Sequence, residues 1–66
     1  MTLYKISNDK KGYTPSIFIV NTFGEIYVEN REHGFFKHPT LTTEFKLQEH
    51  ITRMNNDGCT VEVVRL

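Results

Sequence analysis

Tryptophan and alanine are absent from this sequence of 66 residues, cysteine occurs once, and neither sign of charge is in excess. A single cysteine, Cys59, excludes an intramolecular disulfide. That places the chain outside the stapled mini-proteins of the secretory route, fits a reducing compartment, and makes the cytoplasm the expected location. Lys and Arg number 8 and Asp and Glu number 8, for a formal net charge of zero. A domain that holds nucleic acid mainly through its phosphates usually carries a clear positive excess, so a neutral chain disfavours that partner. No basic n-region followed by an apolar core opens the chain, and no apolar run approaches the roughly 18 residues that cross a bilayer. Neither export nor a membrane partner is expected.

Size excludes as much as composition does. Sixty-six residues suffice for one small domain, 1–66, and leave little for a deep cleft. At 38% hydrophobic, 12% aromatic and 24% charged, the chain has enough packing material to fold rather than remain disordered. Phe, Tyr, Met, Ile, Asn and Lys supply 25 of the residues, whereas Gly, Ala, Arg and Pro supply 9. The first group has AT-rich codons and the second GC-rich ones, a bias expected of a low-GC bacterium or of a bacteriophage.

Hydrophobic periodicity predicts the element order. Leu3–Ser7 reads as a strand with Tyr4 and Ile6 on one face and Leu3 and Lys5 on the other. The span 8–15 has turn chemistry. Ile17, Phe18, Ile19 and Val20 follow without a polar interruption, as in a central strand buried on both faces. A hairpin through Asn21, Thr22, Phe23 and Gly24 leads to a strand over 25–29 with Ile26 and Val28 opposite Tyr27. Phe35, Phe36, Lys37 and His38 read equally as a short strand or as a loop.

Beyond Pro39, the residues Leu41, Phe45, Leu47, Ile51 and Met54 recur at mostly helical spacing over 41–56, with Lys46, Glu49, His50 and Arg53 on the opposite side. Thr40 or Thr42 is the expected N-cap, and Gly58 supplies the left-handed stop. The span 59–66 alternates as a last strand. The expected fold is thus α+β: a mostly antiparallel sheet of four or five strands with one amphipathic helix, in the order β-β-β-(β)-α-β. One helix covers one sheet face, so apolar side chains on the other call for a homodimer or another protein partner.

Chemistry-bearing motifs are sparse. His33, His38, His50 and Cys59 are metal-ligand types, but they are separated by 4, 11 and 8 residues, unlike the short paired spacings of zinc sites. No cofactor or metal is expected. Cys59 with a histidine, or carboxylates among Glu25, Glu29 and Glu32, lack the flanking signature of a catalytic site, and no phosphate loop, dinucleotide fingerprint or calcium loop is present. An enzyme is not expected.

Phe23 at a hairpin tip, and Phe35 and Phe36 beside Arg31, combine the residue types that carry binding energy at protein interfaces. The reading is therefore a non-enzymatic interaction protein, such as a phage-encoded inhibitor or modulator of a host protein in the host cytoplasm. The alternative is a small nucleic-acid-binding regulator using Lys10, Lys11 and Tyr13, whose charge and ring suit a phosphate and a base. A subsidiary role in a hydrolase or nuclease is a third reading.

Overall fold

The computed structural model describes residues 1–8, 13–30, 32 and 34–66. Its elements are β1 (Thr2–Asn8), β2 (Tyr13–Val20), β3 (Ile26–Asn30), β4 (Gly34–Lys37), α1 (Glu44–Asn56) and β5 (Thr60–Arg65). The five strands form one antiparallel sheet in the order β4-β3-β2-β1-β5, so the expected α+β fold is the one observed. The strand rich in Ile and Phe occupies the centre, where both backbone edges are paired.

Several boundaries differ from the sequence reading. Asn8 belongs to β1, and residues 13–15 belong to β2 rather than to a turn. Pro15 is tolerated there because β3 pairs with β2 only from Phe18 onward, and because the β1–β2 register shifts between Ile6 and Asn8. A residue without an amide hydrogen fits such an unpaired, irregular strand end. Residues 34–37 form a strand, with Glu29 opposite Phe35 and Val28 opposite Phe36.

The β2–β3 turn is organised by Asn21. Its Oδ1 accepts from the backbone N–H groups of Phe23 and Glu25 at 3.0 and 2.9 Å, while Nδ2 donates to Glu25 Oε1 at 3.0 Å. Gly24, at φ 80°, takes the left-handed position that closes this type of connection.

The helix begins later than its periodicity suggests. Thr43, not Thr40 or Thr42, is the N-cap: its backbone is extended and its hydroxyl accepts from Lys46 N–H at 3.2 Å. Ahead of it, His38 Nδ1 accepts from Thr40 N–H at 3.2 Å and from Leu41 N–H at 3.0 Å, which holds the segment between β4 and α1 in a non-helical bend. Leu41 therefore precedes the helix, although it still packs against the core.

Two helix residues exchange sides relative to the expectation. Phe45 is 73% exposed, because two steps of about 100° separate it from Leu47 and turn it to the opposite face. His50 lies inward, three residues after Leu47 and four before Met54, with its ring 5.8 Å from that of Phe18. The core joins Leu47 and Ile51 of α1 to Ile6, Phe18, Val20, Ile26 and Cys59, with Tyr4, Val28, Leu41, Met54 and Val61 at its margin.

The helix stops in a Schellman arrangement. Cys59 N–H donates to the Met54 carbonyl at 3.0 Å and Gly58 N–H to the Asn55 carbonyl at 3.1 Å, with Gly58 at φ 93°. A Cβ added at Gly58 meets nothing within 4 Å, so steric collision with neighbours is not the cost expected of a substitution there. The cost is the backbone conformation itself. Gly58→Ala is expected to lower stability by about 1 kcal/mol, read from denaturant midpoints at unchanged slope. A midpoint equal to wild type would contradict the motif.

Candidate interaction surface

The strand register sorts the side chains into two faces. Towards α1 run Tyr4, Phe18, Val28 and Phe36 in one cross-strand row, with Ile6, Val20, Ile26 and Val61 beside them. Away from α1 a second row crosses all five strands: Lys37, Tyr27, Ile19, Leu3 and Val64. Next to it lie Phe35, Glu29, Ile17, Lys5 and Glu62. The central strand is consequently less symmetric than its unbroken apolar run suggests. Phe18 and Val20 are buried, whereas Ile17 and Ile19 are half-buried on the face that α1 leaves open.

The three aromatic residues singled out from the sequence lie outside the core. Phe23, at the β2–β3 tip, is 86% exposed, and Phe35 and Phe36 on edge strand β4 are 45% and 42% exposed. Because adjacent strand residues alternate, Phe35 joins the open face and Phe36 the helix-facing side, so these two do not form one patch. Arg31, Lys10, Lys11 and His33 lie outside the described residues, as does the side chain of Tyr13. The sequence reading missed Leu3, Ile19, Tyr27 and Val64 as members of a common surface. Alternation within each strand could have assigned their parity, but only the inter-strand register aligns them.

Charge at the β3–β4 margin is internally paired. Lys37 Nζ lies 2.8 Å from Glu25 Oε2. The hydrogen bond from Lys37, then that from the Asn21 amide, holds the Glu25 carboxyl below its ordinary range. The same contact raises Lys37.

On the covered face, Phe18 lies between two histidines, with ring centroids 6.1 Å from His38 and 5.8 Å from His50. The sequence pattern puts His50 on the helix side opposite the apolar residues, and the structure turns it inward. His38 turns onto Phe18 because its Nδ1 is held by the backbone amides of Thr40 and Leu41, which leaves the ring proton to Nε2. Burial lowers the His50 pKa from its usual 6.5, with smaller contributions in the same direction from Arg53 and His38. The unfolded chain thus binds the His50 proton more readily than the folded one. The resulting stability is fully present above about pH 6.5 and declines as pH falls through the folded-state value. Thermal melts between about pH 7.5 and 5 should show this decline, and His50→Gln should flatten it; an unchanged slope would remove His50 as its source.

Cys59 is a buried free thiol, with Asn8 Nδ2 3.6 Å from its Sγ. Among the described residues, no group of three or more His, Cys, Asp or Glu converges as a metal site, and no pocket opens. What the described surface offers is a strand face and projecting rings. Comparison with protein-family models, with curated proteins and with solved structures returns no match.

Proposed function

We propose that this chain is a non-enzymatic interaction protein, a small modulator or inhibitor that binds a host protein, encoded by a phage of a low-GC bacterium. The observation that carries the reading is the position of Phe23 and Phe36: large rings held outside the core on a defined hairpin and an edge strand. Aromatic side chains lose little rotamer freedom on docking and bury much area, which is why they anchor protein interfaces. Charge balance supports a protein partner over a polyanion. Cytoplasmic action is consistent with the free thiol of Cys59.

Affinity purification from a low-GC bacterial host, comparing wild type with Phe23→Ala and Phe36→Ala, tests this reading. One polypeptide retained in stoichiometric amount by wild type, then bound directly when purified and weakened at least tenfold by either substitution, is the expected result. Retention of DNA or RNA instead, with steep loss at rising salt, would favour the regulator built on Lys10, Lys11 and Tyr13 and would overturn the proposal.

A further inference from the structure

The open sheet face has a pattern of charged and apolar residues complementary to itself, and we infer that it is the interface of a symmetric face-to-face dimer of this chain. The partner-binding surface proposed above uses Phe23 and Phe36, so the two ideas stand on different residues.

The register supplies the pattern. Taking β2 as the centre, one row reads Lys37, Tyr27, Ile19, Leu3, Val64. The next reads Phe35, Glu29, Ile17, Lys5, Glu62, where Glu29 takes its place beside Ile17 by continuing the β2–β3 alternation one step beyond the last pair, Phe18 with Val28. A two-fold axis along β2, in the plane between two such faces, superimposes each row on its own reverse. Ile19 and Ile17 then meet their own copies, and Tyr27 covers Leu3 of the second copy. Glu29 lies over Lys5 of the second copy, and the symmetry repeats that opposite-charge contact. Lys37 lies diagonal to Glu62 of the second copy.

The alternative axis, across the strands, lays Lys5 over Leu3 and Glu29 over Tyr27. It sets all four charges of the two rows against apolar or aromatic groups, with Lys37 over Phe35 and Glu62 over Val64 as well, whereas the axis along β2 does so only at the rim, where Lys37 meets Val64 and Phe35 meets Glu62; the axis along β2 is therefore selected. Two sheets packed in this way keep their strands nearly aligned, the usual arrangement in sandwiches. An isologous contact requires this kind of self-complementarity.

Area sets the strength. Five strands at about 4.8 Å spacing and about six residues of length give a face of roughly 24 by 20 Å. With side-chain relief this approaches the lower limit of about 600 Å² per partner for a specific interface. A micromolar dimer is expected, with Phe23 at its hairpin tip and Phe36 on the helix-facing side both left free for a different protein.

Sedimentation equilibrium from about 5 to 200 μM tests the inference. Wild type should rise from its 7.8 kDa monomer mass towards twice that value. Ile19→Lys, which sets two ammonium groups against each other on the axis, should remain monomeric while keeping the wild-type circular dichroism spectrum. Because that variant also changes the central strand, a charge exchange provides the second arm. Lys5→Glu and Glu29→Lys should each weaken association about tenfold, and the double variant should restore it. A wild type that stays monomeric across the range overturns the dimer. Association that survives Ile19→Lys, or a double exchange that fails to restore it, overturns this face and axis and assigns pairing to an edge strand such as β5. Each of these results leaves the host-protein reading standing or falling on its Phe23 and Phe36 variants.

Discussion

Leu47→Ala is expected to lower stability by about 3 kcal/mol, the cost of removing a fully buried leucine side chain whose surroundings collapse only partly. Leu47 has no exposed surface and sits in the helix, within the cluster formed with Ile6, Phe18, Val20, Ile26, Ile51 and Cys59. A chain of this length has a total stability of roughly 3–10 kcal/mol, so the variant loses about 30% of it or more. In a domain of this size the melting temperature should fall by about 12–24 °C. Helix propensity cannot supply the loss, because alanine is a better helix former than leucine. Phe45→Ala is the matched control. That residue lies two positions away in the same helix but is exposed, and its truncation should change stability by less than about 0.5 kcal/mol. Comparable melting temperatures for the two variants would show that α1 does not dock through Leu47.

Phe18→Ala should cost about 3–5 kcal/mol, since it removes a buried aromatic ring from the middle strand of the sheet. The consequence extends beyond packing. Phe18 is the surface against which His38 and His50 rest, and its removal lets water reach the His50 imidazole. With desolvation relieved, the His50 pKa should return towards 6.5 and the decline in stability at acidic pH should become shallower. Phe18→Leu keeps an apolar side chain at the site and should remain folded, at a cost of about 1–2 kcal/mol. Measuring the pH slope of both variants separates the ring from the fold. A His50 titration that is unchanged in Phe18→Leu and in folded Phe18→Ala would show that the ring does not control it.

Much of the local structure was legible because it depends on short-range chemistry. The turn at Gly24 and the stop at Gly58 follow from which residue accepts a positive φ. The pairing of Tyr4 with Ile6 on one face of β1 follows from alternation, and that face is the one that packs into the core. The spacing of His50 from Leu47 and Met54 also marks it as inward-facing, although its polarity points the other way. The N-cap was not legible. Thr40, Thr42 and Thr43 offer the same hydroxyl, and the choice falls to Thr43 where the bend held by His38 Nδ1 on the amides of Thr40 and Leu41 gives way to helix.

The candidate surface depended still more on long-range pairing. Phe35 and Phe36 were recognised as anchors by residue type, yet the four-residue β4 forms only by hydrogen bonding to β3, and that pairing sends the two rings to opposite faces. Leu3, Ile19, Tyr27 and Val64 belong to four strands that are distant in sequence.

By itself the amino-acid sequence determined the α+β class, the helix and its stop, the central position of the Ile–Phe strand, and the neutral net charge. Only the tertiary structure decided that β5 lies beside β1, that His38 and His50 meet at Phe18, and that Tyr27, Ile19, Leu3 and Val64 align in one row across four of the five strands of the open face. The physical reason is range. Propensity, capping and turn geometry are settled by neighbours within a few residues, whereas strand order and register are settled by the joint burial of side chains far apart along the chain.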